Sequence, residues 1–277
     1  MKKRGNPGKD RRSSARRRQA PKAVKTKAAQ RRPRIVDLSL PIQSGMAGIP
    51  TIRFYEKYPV KVLATTVINE QQRGFLQTQG VDMDPQVELH GTMNTVLTIS
   101  SHVGTHIDAP RHFFETEASI DKIPLDRIVM REAVVLDVSH LPPGAAGEAA
   151  HLERTGVKPR KDQIPVIKTL WTDRMWGKPD FWTQMPYLAP SVGDWILDQQ
   201  VPAVAMDCFP EIAWFRGIPR RPEQRGINHK KWLGAGIIMI QFLTNLALMR
   251  DHFTLIALPL RLKGMDGSPA RVIGVEM

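Results

Sequence analysis

Residues 100–113 read Ser-His-Val-Gly-Thr-His-Ile-Asp-Ala-Pro-Arg-His-Phe-Phe, and this stretch narrows the backbone to one conformation. Two histidines four apart ordinarily mark one face of a helix. Here Gly104 and Pro110 are poor helix residues, and Val103, Thr105 and Ile107 are β-branched, so an extended backbone fits better. On a strand, His102, Gly104, His106 and Asp108 share one face, and Val103, Thr105 and Ile107 share the other. A straight strand would hold the Cα atoms of His102 and His106 roughly 13 Å apart, too far for comfortable coordination of one ion. A bend is needed, and Gly104 can supply it. The spacing predicts a strand, a glycine kink and a short strand, with Pro110 ending the ladder.

The chemistry of the stretch is equally specific. His102, His106, Asp108 and His112 fall within eleven positions. Neutral imidazoles and a carboxylate are what a borderline divalent cation such as Zn²⁺ or Mn²⁺ accepts. Such a cation brings the pKa of a coordinated water toward neutrality and polarises carbonyl groups. The residues therefore predict a metal-dependent hydrolase.

Composition divides the chain into a near-neutral body preceded by a basic extension. Residues 1–34 hold fifteen Lys/Arg and one acid, Asp10, for a net +14, whereas residues 35–277 hold 25 Lys/Arg and 26 Asp/Glu, for a net −1. The overall +13 thus gives no reason to assign nucleic-acid binding to the folded part. The first 34 residues, nearly free of large apolar side chains, are expected to be disordered, because they cannot bury enough surface to offset the entropy of ordering. They lack the apolar core of a secretory signal. A transit peptide or contact with an anionic surface is compatible with their charge. The single cysteine, Cys208, forbids an intrachain disulfide and suits a reducing, cytoplasmic setting. No run of 18 apolar residues is present, so no membrane span is expected.

The motif resembles the H-x-G-T-H-x-D-x-P-x-H signature of the metal-dependent cyclase-like hydrolases, a family that includes bacterial kynurenine formamidase and isatin hydrolase. Ile35-Val-Asp-Leu-Ser-Leu-Pro-Ile42 resembles the family's opening strand, and Ser119-Ile-Asp-Lys-Ile-Pro-Leu-Asp126 the segment after its motif. Leu233–Leu246, Phe253–Leu260 and Asp266–Arg271 resemble its closing elements, in order. The likeness covers residues 35–277. It implies an α/β fold, a swivelling β/β/α domain with a mixed sheet in a single domain, assembled as a homodimer or homotetramer. It also implies that His102, His106 and Asp108 are metal ligands and that His112 is the catalytic proton-transfer residue.

Two departures from the family pattern matter. Kynurenine formamidases carry a later His followed twelve positions on by a Glu, and these complete a second metal site. Here His229 is followed at that spacing by Gln241. With Asp108 the only carboxylate among the expected ligands, two divalent cations would be poorly neutralised. One cation held by His102, His106, Asp108 and the Gln241 oxygen resembles the arrangement of isatin hydrolase, and a neutral oxygen ligand tilts the choice from Zn²⁺ toward Mn²⁺. His229 is then left to orient substrate or water. The second departure is Ile49, which stands where the family often has an aromatic residue. The substrate-binding residues stay unknown at this level; Phe54, Tyr55, Phe75, Trp171, Trp176, Phe181, Trp214 and Trp232 are the aromatic candidates.

The expected activity is hydrolysis of an amide, formamide or cyclic imide or lactam C–N bond, in the manner of isatin hydrolase. The alternatives are an arylformamidase acting on N-formylkynurenine and a non-catalytic metal-binding protein that kept the fold. Strands are expected at 35–40, 95–100, 105–108, 133–138, 201–206, 236–243 and 254–258. A helix is expected at 190–199 and a short helical turn within 120–129. Residues 142–165 read as a long surface excursion, and 44–87 as loops around Tyr58-Pro59 and Gly74.

Overall fold

In the computed structural model, the described residues are 32–46, 60–67, 69–81, 93–211 and 226–277. The expectations for residues 1–31 of the basic extension, Ile49, Phe54, Tyr55, Tyr58-Pro59 and Trp214 concern residues outside these; Arg34, expected to be the last residue of the extension, instead begins the first strand.

The strands of the main sheet are β1 (Arg34–Asp37), β4 (His106–Asp108), β5 (Arg131–Asp137), β7 (Ile164–Lys168), β9 (Ala203–Met206), β10 (Ile238–Gln241), β11 (His252–Pro259) and β12 (Gly267–Glu276). They are ordered β1-β12-β11-β5-β7-β9-β10-β4, and β4 pairs again with β12, so the mixed sheet closes on itself as a barrel. β5, β7, β9 and β10 run parallel to one another. β11, β12, β1 and β4 pair antiparallel. β2 (Lys61–Val67) and β3 (Met93–Thr98) form a separate two-stranded ribbon, and β6 (Ala146–Gly147) and β8 (Tyr187–Leu188) a short parallel pair.

The middle of the parallel run is apolar because both faces are covered there. Val135, Val166, Ala205 and Ile240 join Ile107, Leu255 and Val272 in one buried cluster. Their alternate neighbours Leu136, Ile167, Val204 and Met239 belong to a second cluster with Val192, Ile196, Trp232 and Leu233. Those last residues come from helices on the outer face. Among the described residues the helices are α1 (Asn69–Thr78), α2 (Ala149–Glu153), α3 (Trp171–Met175), α4 (Pro190–Gln199) and α5 (Ile227–Gly234), and α4 and α5 supply those four residues. α4 has the bounds expected of it, with Pro190 in its first turn and Gln200 left-handed at its end. Gly193 lets α5 approach it closely: a Cβ there would lie 2.2 Å from Asn228 Oδ1. Trp232 Nε1 donates to the Gly193 carbonyl at 3.1 Å.

Several expectations need correction. Gly74 lies inside α1 rather than in a loop. The 142–165 excursion contains β6 and α2, and Leu152 of α2 is buried in the outer core. Glu148 accepts a bond from the helix and His151 accepts from the Glu148 N–H, a reciprocal cap that stabilises a helix too short to show a clear period. The expected strand at 95–100 ends at Thr98 and belongs to the ribbon, so residues 101–105 form a turn before β4. Within that turn Gly104 does supply the bend, with φ +59°, and a Cβ there would press to 3.0 Å of Met46 Cε. Pro110 ends the ladder as expected and opens a 3-10 turn over Pro110–His112.

Candidate metal centre

The strand register assembles the centre. β4 lies between β10 and β12, pairing antiparallel with both. Gln241 stands opposite His106, and Gly267 opposite Asp108. Asp266, one residue ahead of β12, receives the Ala109 N–H on its carbonyl at 3.0 Å and so reaches the motif. α5 precedes β10 and carries His229 in its first turn.

Asp108 is the hub and is wholly buried. Its Oδ1 lies 2.8 Å from His102 Nδ1 and 3.3 Å from His106 Nε2. Its Oδ2 lies 3.4 Å from His229 Nε2 and accepts a bond from the Gln241 amide nitrogen. The Gly104 carbonyl holds His106 Nδ1 at 2.8 Å, which makes Nδ1 the protonated nitrogen and leaves Nε2 to face Asp108. His102 Nε2 lies 2.8 Å from Asp266 Oδ2, and His112 Nδ1 lies 3.3 Å from the same oxygen. The rings of His102 and His112 sit 4.0 Å apart. Among the described residues three overlapping groups have donor atoms within 4.8 Å of one another: His102, His106 and Asp108; His102, His112 and Asp266; Asp108, His112 and His229.

The residues singled out from the sequence, His102, His106, Asp108, His112, His229 and Gln241, are therefore brought together. Gln241 turns its amide nitrogen, rather than the expected oxygen, toward Asp108 and His229. A half turn about its terminal bond exchanges the two atoms without moving the chain. Two acidic residues at the centre were not anticipated. Asp266 links His102 to His112, and Glu211 holds His229 Nδ1 at 2.7 Å. Asp266 lay within a block recognised only as a closing element, and nothing in the spacing of Glu211 pointed to the site. The charge count behind a single cation is changed accordingly, since Asp108 is not the only carboxylate present.

The aromatic neighbours also differ from the candidates. Trp232 is core, and Trp171 is buried with its Nε1 donating to the Phe181 carbonyl at 2.8 Å. Phe75 is exposed. The rings beside the histidines are Phe113, stacked 4.9 Å from His229, and Phe242, 5.7 Å from His106. Phe242 is held at a left-handed φ of 56°, with its carbonyl bound by Thr105 Oγ1 at 2.6 Å. Strain of this kind persists only where the surroundings over-determine it.

The electrostatics test whether this donor set fits a cation. Burial alone would push the His102 imidazole down, but the Asp108 and Asp266 carboxylates outweigh it and raise it to about 10. His229 is likewise raised to about 9, against burial, by Glu211 and Asp108. Burial would raise Asp108, but His102, His112 and His106 hold it well below the usual carboxylate range. A buried carboxylate core that draws protons onto its histidines calls for positive charge. A divalent cation supplies that charge in place of the protons, with neutral imidazoles and carboxylates as its ligands. The residues fit such an ion.

A family model described as putative cyclase matches residues 36–210. The chain belongs to the putative cyclase family. Within this cyclase-like family of metal-dependent hydrolases, it is 29% identical to cyclase-like protein 3 of Oryza sativa subsp. japonica over 191 residues, 66% of each chain. It is 28% identical to a kynurenine formamidase of Bacillus cereus over 194 residues, 67% of this chain and 82% of the other. In fold it is similar to an isatin hydrolase bound to the product analogue thioisatinate, with a TM-score of 0.66 at 18% identity, covering 88% of this chain and 92% of that one. Among the described residues of this family member, no helix is long and apolar enough to cross a membrane.

Proposed function

We propose that this cyclase-family protein is a metal-dependent amidohydrolase that cleaves a non-peptide C–N bond, of an amide, formamide or cyclic imide or lactam, in a small molecule. The observation that carries the proposal is the fully buried Asp108 carboxylate with His102, His106 and His229 against it and the part-exposed His112 ring at its side. In this reading His102, His106 and Asp108 hold one divalent cation, Mn²⁺ or Zn²⁺, with the Gln241 oxygen turned inward as a further ligand. When bound, the cation polarises the substrate carbonyl and acidifies water. His112, the most exposed of these histidines, takes the proton from the attacking water as the oxygen joins the carbonyl carbon. It returns that proton to the nitrogen as the C–N bond breaks, giving a carboxylic acid and an amine, or one ring-opened product from a cyclic substrate. Asp266, against His112 Nδ1, keeps the ring's other nitrogen turned to the reaction. His229 orients substrate or water from the opposite side.

The fold likeness to isatin hydrolase and Gln241 at the position discussed above favour a cyclic or aryl amide over N-formylkynurenine itself. The same proposal takes residues 1–32 as an extension ahead of the catalytic body, the barrel as the swivelling β/β/α architecture, and the assembly as a homodimer or homotetramer in the cytoplasm. The test is a screen of protein loaded with Mn²⁺ or Zn²⁺ against isatin, small cyclic imides and N-formyl aromatic amines. Turnover that disappears with a chelator and returns with the cation is expected. Full cation occupancy, near one ion per chain, with no hydrolysis of any of these would refute the proposal in favour of a binding protein.

A further inference from the structure

The proposed chemistry leaves Glu211 without a role, yet its carboxylate is committed at both oxygens. Oε1 accepts from His229 Nδ1 at 2.7 Å. Oε2 accepts from the backbone N–H groups of Asn228, at 3.0 Å, and His229, at 3.4 Å, in the first turn of α5. Its side chain and that of His229 are 13% and 6% exposed. The imidazole is held on its face as well. Phe113 stacks on it with 24° between the planes, and Phe113 has room because residue 226 is a glycine. A Cβ at Gly226 would meet Phe113 Cε1 at 2.3 Å, and φ there is +62°. What remains of the ring is Nε2, which faces Asp108 Oδ2 at 3.4 Å and the Gln241 amide nitrogen at 3.3 Å.

We infer that Glu211 is a positioning residue that acts through His229: with a cation at the centre in place of the extra proton, it holds the neutral imidazole as its Nδ1–H tautomer and so presents the Nε2 lone pair to the reacting centre. A neutral imidazole has one N–H, and a carboxylate can only accept. The charge-assisted bond therefore places the hydrogen on Nδ1. Nε2 becomes an acceptor, the partner an attacking water needs. The helix N–H groups engage Oε2 alone, so capping does not account for Oε1 on the ring.

The catalytic part of this role rests on the proposed hydrolysis; the tautomer does not. The experiment therefore reads both. In full-length, zinc-loaded protein with ¹⁵N-labelled histidine, the His229 signals, identified by their loss in His229→Ala, should report Nδ1–H. In Glu211→Gln the amide oxygen stays on the two helix N–H groups and its NH₂ faces Nδ1, so the tautomer reverses to Nε2–H. In Glu211→Ala the preference is lost. On the substrate with the highest turnover in the screen, each variant should lose about 10–100-fold in kcat, the usual effect of removing an outer partner of a site histidine. Neither should cause any further loss once His229 is already Ala. An unchanged tautomer in both variants overturns the inference, as does a double variant whose loss is the product of the two single losses. If the tautomer shifts as stated but no substrate is turned over, the proposed hydrolysis fails and the assignment of Glu211 stands.

Discussion

At the scale of single residues, the proposed mechanism separates atoms that hold a cation from atoms that move a proton. His106 Nε2 and Asp108 Oδ1 lie 3.3 Å apart in the core, whereas His112 sits at the edge, 27% exposed. His106→Ala and Asp108→Ala should therefore lose cation and activity together, as metal analysis and turnover would show. His112→Ala should keep the cation and lose about 10²–10⁴ in kcat, the range for a positioned acid–base group. Near-normal turnover of His112→Ala at full occupancy would remove it from the mechanism. Gln241 offers a second test. Its amide nitrogen donates to the buried Asp108. Gln241→Glu would set two carboxylates against each other without a donor between them. Melting temperature should fall in the cation-free variant and recover with excess divalent cation, with a second ion bound per chain. A variant as stable as the parent without cation would show that position 241 does not share the Asp108 charge.

At the scale of elements, the site depends on how tightly β12 lies against β4. Gly267 pairs with Asp108, and a Cβ on it would fall 2.7 Å from His102 Cε1 and 2.9 Å from the Ile107 carbonyl. Backbone cannot yield as a flexible side-chain tip does, so Gly267→Ala should displace His102 or part the strands. The expected cost is about 1–3 kcal/mol of stability, typical of overpacking. Cation affinity should weaken although no ligand has been altered. Unchanged affinity in calorimetric titration would mean that His102 tolerates the displacement. The start of β1 sets another limit. Arg34 belongs to that strand and pairs with Glu276 at 3.0 Å. A truncation that leaves the barrel whole therefore ends at Arg32 rather than Arg34. Removing residues 1–32 should leave melting temperature and turnover nearly unchanged; a large fall in either would tie the basic extension to the fold.

At the scale of the whole molecule, a buried acid away from the metal centre makes stability depend on pH. Burial drives Asp207 up from 3.8 to about 7, against the bonds that Thr169 donates to its Oδ1 at 2.7 and 2.8 Å. Its Oδ2 has no hydrogen-bond partner among the described residues. The folded state keeps this proton up to about pH 7, whereas the unfolded chain releases it near 4. More protons are bound when folded across that interval, so this contribution to stability is complete below pH 4, falls as pH rises to about 7, and then levels off. Asp207→Asn keeps the Thr169 bonds and cannot titrate. The stability of the parent relative to this variant should decline with pH by at most about 1.4 kcal/mol per unit. A difference that is flat from pH 4 to 7 would show that Asp207 is ionised in the fold.

The local chemistry was legible in the sequence because ligand identity, glycine conformation and strand termination are properties of neighbouring residues. The motif from His102 to His112, the bend at Gly104, the stop at Pro110 and α4 between two punctuating residues all follow from short-range sterics. The family blocks likewise ran in chain order. What the chain alone left open is long-range. No local pattern could say that β4 would pair with both β10 and β12, and that double pairing brings Asp266 to His102 across 164 positions. Glu211 reaches His229 from the far side of a connection, by a side-chain contact that no spacing rule encodes. The amphipathic signals of α2 and β6 were too short to rise above the glycine, proline and charge around them, and only packing against the outer core selected them. The sequence determined which atoms could hold a cation. The tertiary structure decided which carboxylates stand behind them, because electrostatic partners are chosen by distance in space, and a closed sheet sets that distance by register rather than by position along the chain.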